Sequence, residues 1–513
     1  MRAELELLPR SMLIDLVIES RRSFARLLHE FDTFRRQVFG RSSEKLHLTE
    51  HPQLPFAELP QLPEVQTVIE KVVVERKKRK PTGRGKLPAG LARHRQVLKL
   101  RPEDRVCKGC DQEMESIGAE RSEQLDYRPS SLRILETVRH KYACRRCQDQ
   151  VNTTPLPPAA VPKCLATPAL LAHVVTAKYA DHLPLNRQEG ILARYGVDLS
   201  RQTMCDWVAR VAEVFQPLYE VAKKMVLDGS LVRADDTGIR YLVPGERQTR
   251  RGHLWAYLEG GGRLVVFDFT TDWCAEGPTT FLTGFRGRLQ ADGYKGWDVV
   301  AKVMPGIQLL GCMAHARRKF HDAKTNDLLL ATTGLLFIRA LYLIEAEAKG
   351  LPPPERAALR KARAGPILEQ LREWMERTTP RMQPKSAMAA AFTYLTNQWA
   401  ELVLYLEDGD LFIDNNDTER VLRTVAVGRA NWLFAGSENG GHRAATIYTM
   451  IASCKLNRVD PWAWLADVLT RLPATSADEL PDLLPHRWTP TTDFAIERIA
   501  ETTEEEVLLA LPA

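Results

Sequence analysis

Met12, Leu13, Leu16, Val17, Phe24, Leu27, Leu28, Phe31, Phe34 and Val38 recur at steps of three and four with no proline or glycine among them. This spacing predicts an amphipathic helix whose apolar stripe needs a partner, either a second copy of the chain or the rest of this one. Four prolines, Pro52, Pro55, Pro60 and Pro63, then mark an extended linker. Helical periodicity returns from Pro168 to about Met225. Inside that block Ile191 to Trp207 reads as helix, turn at Gly196, capping Ser200, helix. This is helix-turn-helix punctuation, which an ordinary helical hairpin shares.

From Leu231 the pattern becomes strand-like. Leu231 to Asp235 is a short strand ending in acid. Leu254 to Glu259 and Arg263 to Phe269 flank the Gly260-Gly261-Gly262 hairpin turn, and Gly287 to Asp292 is a second strand ending in acid. Ile307 to Cys312 is a fifth strand. Residues Asp322 to about Leu406 then read as helices with one break at Leu351 to Pro354, an all-helical insertion in an α/β order. The longest apolar run there, Leu328 to Ile338, falls short of the ~20 residues of a bilayer span and predicts a buried helix.

Composition adds one thing to this picture. The 513 residues carry a net charge of +6, but Arg76 to Arg101 holds eleven Lys or Arg and no acid, leaving the other 487 residues at −5. Led by Arg76, Lys77, Lys78, Arg79 and Lys80 and interrupted by Pro81, Gly83, Gly85, Pro88 and Gly90, this stretch predicts a solvated linker. It is either a plain spacer or a sequence-blind arm for DNA phosphates. With 44% hydrophobic and 27% charged residues the chain has real cores, which excludes disordered, collagen-like and membrane classes. The N-terminus has no secretory pattern, so the expectation is a cytoplasmic protein.

Of nine cysteines, four form two pairs, Cys107 with Cys110 and Cys144 with Cys147. Two such knuckles supply the four thiolates that tetrahedral Zn²⁺ takes in structural sites, and alternation from Leu132 to Tyr142 leads a strand into the second: a zinc ribbon. Cys164, Cys205, Cys274, Cys312 and Cys454 are scattered singly and read as core residues.

Asp235 and Asp292, each closing a strand, meet at one sheet edge if those strands are neighbours. Glu419, one turn ahead of Leu422 in a helix capped by Asn416 or Asp417, is the best third acid. Three carboxylates suit a pair of Mg²⁺ or Mn²⁺ ions, because hard cations take oxygen ligands. Arg420 and Arg423 lie close by for phosphate oxygens. Spacing alone leaves Asp236 and Asp298 as rivals.

These strings resemble the insertion sequence 66 family of bacterial transposases nearly from end to end. Phe39 to Leu46, the paired cysteines and Lys178 to Glu189 resemble its N-terminal, zinc-binding and central segments. Ala234-Asp235-Asp236-Thr237 and Leu289 to Tyr294 resemble its first two acidic boxes. Cys312 to Phe320 resembles its Cys-x-x-His-x-Arg-Arg segment, with Cys312 and His315 read as support near the active site. Ile413 to Arg420 with Val427 to Ser437 resembles its final box, and Leu483 to Trp488 its C-terminal module. Ala430 stands where the family usually has Lys, and Asp236 where it usually has Glu.

The resemblance implies a DDE triad of Asp235, Asp292 and Glu419, which also hold the divalent ions, with Arg429, Asn431 and Trp432 joining the DNA-binding candidates. Water and then a 3′-hydroxyl would attack phosphorus in line. The fold implied is a multidomain α/β chain: an N-terminal amphipathic helix at 1–50, linkers at 51–105, a zinc ribbon at 106–150 and a helical block at 151–228. An RNase H-like mixed-sheet core follows at 229–475, interrupted by helices at about 322–406, and a C-terminal module at 476–513 ends the chain. The implied partners are the element's terminal repeats and target DNA, further copies of the chain and accessory proteins of the same element, with no membrane. A DNA-binding regulator without chemistry and an RNase H-like nuclease without strand transfer are the alternatives.

Overall fold

A computed structural model describes residues 158–491 together with strands at 95–100, 141–143, 151–153 and 504–509. Strand β1 (Arg95–Leu100) pairs in parallel with a strand at Glu504–Leu509. The basic run is therefore not linker throughout, since its last residues are paired backbone. Strands β2 (Lys141–Ala143) and β3 (Val151–Thr153) form an antiparallel pair that brackets the second cysteine knuckle. The N-terminal helix, residues 76–80 and all four paired cysteines lie outside the described residues.

The core is a five-stranded mixed sheet made of β4 (Leu231–Tyr241), β5 (Arg250–Glu259), β6 (Val265–Thr270), β7 (Gly287–Gln290) and β8 (Ile307–Leu310). Its order is β6-β5-β4-β7-β8, with β6, β5 and β4 antiparallel and β4, β7 and β8 parallel. This is consistent with an RNase H-like core. One expectation needs correction: β4 does not end at Asp235. It runs on to Tyr241, because β5 extends back to Arg250 and pairs with it along its whole length. Strand β7 pairs with β4 only as far as Arg233, so beyond that point the other edge of β4 is free of β7. Asp235 thus sits mid-strand, where the β7 edge of β4 opens.

The helical block is α1 (Pro168–Tyr179), α2 (Leu185–Arg194), α3 (Arg201–Val214) and α4 (Gln216–Leu227). The turn between α2 and α3 is as the sequence predicts. Gly196 takes φ +77°, which glycine adopts without a Cβ penalty, and the Ser200 hydroxyl accepts from Thr203 N at 3.1 Å. Short helices α5 (Glu276–Phe281) and α6 (Lys295–Val303) follow β6 and β7, and α7 (Met313–Asp322) follows β8.

The insertion is helical, as expected: α8 (Leu328–Ala348), α9 (Pro353–Thr378), α10 (Ala387–Asn397) and the short α11 (Trp399–Val403). By length and composition α8 would suffice to cross a membrane, yet half of its apolar window is buried within the protein. Its partners are aromatic. Phe337 meets Trp374 of α9 at 5.7 Å between ring centroids, and Trp374 meets Phe392 of α10 at 4.9 Å. Gly334 lets α8 pass over Phe320 of α7, whose ring a Cβ would strike. Arg360 of α9, 2% exposed, donates to both carboxylate oxygens of Glu345 and to the carbonyls of Tyr405 and Asp408. A buried charge is tolerable only when paired in this way.

The chain then returns to the core with α12 (Asn416–Trp432), α13 (Glu438–Leu456), α14 (Pro461–Arg471) and α15 (Leu480–Leu483). Helix α13 covers the edge strand β6 with hydroxyls as well as apolar groups: Thr449 accepts from Phe267 N at 2.9 Å and Ser453 from Val265 N at 3.3 Å. Edge backbone groups that would otherwise be buried without partners are satisfied there. The segment after α15 is pinned by buried Asp467, which accepts from Trp488 Nε1 at 2.6 Å and Thr491 Oγ1 at 2.8 Å.

Arg360→Met should leave Glu345 without its partner and destabilise the protein by roughly 3–5 kcal/mol, read as a lower denaturant midpoint. An unchanged midpoint would remove Arg360 as the clamp of the insertion.

Candidate active site

Three elements converge where the edge of β4 opens. Alternation along β4 sends Asp235 to the face covered by α12, the same face as Arg233 and Thr237, and sends Asp236 to the other. Contacts bear this out. Arg233 donates to Asp417 of α12 at 2.8 Å and Arg429 of α12 donates to Thr237 Oγ1 at 2.7 Å, whereas Asp236 meets His253 Nδ1 at 2.5 Å and accepts from Trp273 Nε1 at 3.1 Å. Asp292 lies two residues past the end of β7, not in the strand, and its Oδ1 accepts from Tyr294 N and from the indole of Trp297, each at 3.1 Å. Asp298 is exposed on α6, away from this role.

Glu419 comes from the first turn of α12, and one buried residue fixes that turn. Asn415 is wholly buried. Its side-chain amide donates to Ala234 O at 2.8 Å, its backbone N to Cys312 Sγ at 3.2 Å, and its Oδ1 accepts from Thr418 Oγ1 at 2.6 Å. Asn415, rather than Asn416 or Asp417, is the N-cap residue, and its side chain bonds β4 and the Thr418 hydroxyl but caps no backbone N–H of the helix. Asp417 is spent on Arg233 and Arg420, which hold its carboxyl below the usual range although burial pushes it up. Asp414 accepts from Tyr342 of α8 at 2.6 Å, so the insertion braces the same turn.

The site is electrostatically loaded. Burial, and next the charge of Asp292, push Asp235 up to about 8; the adjacent Asp236 N–H opposes this, and Asp236 and Glu419 add smaller repulsions. Glu419 faces α7, where Arg318 donates to Oε2 at 3.1 Å and His315 Nε2 approaches Oε1 at 3.5 Å. Oε1 of Glu419 and Nδ1 of His315 are buried with no hydrogen-bond partner. Burial lowers the His315 pKa, against the charges of Asp292 and Glu419 that raise it. Cys312 is buried, its thiol pushed up to about 12, so it acts as a neutral brace for Asn415.

Hard oxygen donors crowded into mutual repulsion, with one buried carboxylate oxygen unpartnered, have the chemistry of a divalent-cation site. As placed, no three His, Cys, Asp or Glu among the described residues stand in reach of one ion. Glu419 would have to leave Arg318 to complete a ligand set.

The model of the Transposase IS66 family matches residues 163–443, a span that contains all three carboxylates and the helical insertion. The chain belongs to the IS66 transposase family. Its other parts agree: the IS66 C-terminal element matches 449–486, the zinc-finger binding domain of transposase IS66 matches 104–148, and a Transposase C of IS166 homeodomain matches 26–95. Two relatives from Sinorhizobium fredii (strain NBRC 101917 / NGR234) are each 35% identical. Uncharacterized protein y4qI aligns over 91% of this chain and 89% of its own length, and uncharacterized protein y4jD over 79% and 82%. Membership in this family makes the chain a DNA-binding transposase.

Within the IS66 segment the DNA-binding candidates fall into two groups. Arg420 and Arg423 are exposed on α12 beside Glu419. Arg429 is tied to Thr237 and to the carbonyl of Gly238, Asn431 donates to Val427 O of its own helix at 3.2 Å, and the Trp432 ring lies against Gly428 and the core. Sequence reasoning missed Asn415, Trp297, Arg318 and Tyr342. Arg318 was visible within the Arg-Arg string; the other three act through pairings that no local pattern carries.

An aspartate whose folded pKa is raised favours the folded state when protonated, and that advantage is lost as pH climbs from the unfolded value near 4 to about 8. Without divalent ions, Asp235→Asn should therefore melt a few degrees above the wild type at pH 8, with the gap closing toward pH 4. A gap that persists at acid pH would rule out the ionised Asp235 as its source.

Proposed function

We propose that this chain binds the ends of its own insertion sequence and catalyses metal-dependent DNA cleavage and strand transfer, with Asp235, Asp292 and Glu419 as the DDE triad. The observation that supports this reading is that Asp292, just after β7, and Glu419, at the start of α12, both lie close enough to Asp235 of β4 for their charges to act on it, inside the family match. The same carboxylates would hold Mg²⁺ or Mn²⁺, which when bound supplies charge stabilisation to the attacking and leaving oxygens of an in-line displacement. Trp297 and Tyr294 N orient Asp292, and Asn415 holds the turn that presents Glu419. Neutral His315 and Arg318 retain Glu419 until it is recruited. Arg420 and Arg423 meet phosphates, and the arm from Arg76 to Lys80 adds sequence-blind affinity.

Cys107, Cys110, Cys144 and Cys147 hold one structural Zn²⁺, a reading supported by the zinc-finger family match over 104–148. The chain works in the cytoplasm as a homo-oligomer on DNA, with accessory proteins of the same element as further partners. A regulator without chemistry would have no use for an Asp235 held against desolvation and the charge of Asp292.

With Mg²⁺ or Mn²⁺, purified protein should join a labelled element end to plasmid DNA, and Asp292→Asn should lower the rate by at least about 10³-fold while end binding in a mobility-shift assay stays within twofold. Joining by the variant at the wild-type rate would sink the metal-site assignment; cleavage without joining would favour the nuclease reading. Elemental analysis should give one zinc per chain, and Cys144→Ser should lose it.

A further inference from the structure

On the face of the sheet opposite Glu419 lies an aromatic construction that the triad does not use. Trp255 of β5 is fully buried. Above it sit two rings, His253 at 6.2 Å and Tyr294 at 5.9 Å between centroids. Over both lies Trp273, nearly parallel to His253 (5.6 Å, 11°) and to Tyr294 (4.5 Å, 18°). His253 and Tyr294 thus each contact both the buried Trp255 and the exposed Trp273. Trp273 itself remains 51% exposed.

Such exposure in a large aromatic normally goes with mobility, but this ring is fixed. Its Nε1 donates to Asp236 at 3.1 Å, and its carbonyl accepts from Tyr294 Oη at 2.7 Å. Asp236 is oriented in turn by His253 at 2.5 Å. Trp273 also borders an open cleft of about 610 Å³ whose lining includes Arg251 and Arg429. Arg251 lies over Gly238, where a Cβ would meet its Nε at 2.7 Å, and it makes no ion pair among the described residues. A rigid, solvent-facing π-surface beside cations is the composition of a site for a single nucleic-acid strand.

Its location ties it to the carboxylates. Asp236 adjoins Asp235, and Tyr294 follows Asp292 by two residues. Past Arg233 the edge of β4 is free of β7, and its Ala234, Gly238 and Arg240 carbonyls accept instead from Asn415, Arg429 and the Ala435 N–H, so the carboxylates and the platform are joined through the adjacent residues of β4 and of the segment after β7. We propose that Trp273 is a stacking platform for an unpaired nucleobase of the DNA strand processed at the adjacent carboxylates, with Arg251 set for its flanking phosphate. This inference rests on the transposase reading and adds to it the state of the substrate: at least one base beside the reacting phosphate is unpaired. Preorganisation of the indole by Asp236, His253 and Tyr294 removes the ordering cost that a mobile ring would bring to the contact.

The test uses the full-length protein without added divalent ions and a single-stranded oligonucleotide in which every base is 5-iodouracil, whose photo-crosslinks form with stacked aromatic rings. The peptide containing Trp273 should carry the crosslink. Trp273→Ala should lose that adduct and weaken binding by about five- to hundredfold in fluorescence anisotropy, the range for loss of one stacked base. Trp273→Phe should keep most of the affinity, which separates stacking from damage to the fold. No Trp273 adduct at saturating oligonucleotide, or wild-type affinity in Trp273→Ala, would overturn the platform. If the adduct forms but no preparation joins ends to plasmid, the transposase reading fails and the strand site stands; if ends are joined but no adduct forms, the strand site fails and the transposase reading stands.

Discussion

Asn415 is the contact on which the rest depends. Its buried amide joins the end of one helix to the carbonyl of Ala234, the residue before Asp235, and its backbone N–H rests on the sulfur of Cys312 at the head of the helix that carries His315. Three pieces of chain separated by more than seventy residues each are thereby held at one point. Each bond contributes on the order of 1 kcal/mol, but leaving any of these groups unpartnered costs more, so the arrangement is close to all-or-none.

That constraint allows the protein to hold a destabilising group. Asp235 is half-buried and repelled by Asp292 and, less strongly, by Glu419, and desolvation by itself favours its neutral form. The surrounding pairs absorb other charges separately: Arg233 with Asp417, and Arg318 with Glu419. What remains at the sheet edge is uncompensated negative potential, which a cation and a phosphate together can satisfy. The helical insertion takes part in this, since Tyr342 of α8 braces Asp414 and Arg360 anchors the loop around Asp408, near the return into the core. The insertion is part of the support of the third carboxylate.

The two faces of β4 divide the labour. Alternation along a strand puts Asp235 toward the helices and Asp236 toward the aromatic rings, so adjacent acids have unrelated environments. Asp236 is consumed in orienting His253 and Trp273. The conspicuous pair in the sequence is therefore one site residue and one structural residue of the neighbouring surface.

Much of this was legible in the linear pattern. Period-two runs gave five strands, the loss of that period gave the insertion, and Gly196 with Ser200 gave the turn in the helical block. These depend on local backbone preference and on which side chains leave water, which a sequence states directly. The extent of β4 was not legible, because it is set by pairing with Arg250–Glu259, and a strand continues while its partner does. Nor was the role of Asn415, whose amide donates to a buried carbonyl of β4 while its oxygen accepts from Thr418 of the helix it begins. The acids themselves were in the sequence from the start. Which of Asp235 and Asp236 faces Glu419, and which faces Trp273, was decided by the sheet and the helices packed on its two sides, because a carboxylate's chemistry comes from its neighbours, and those are brought together only by folding.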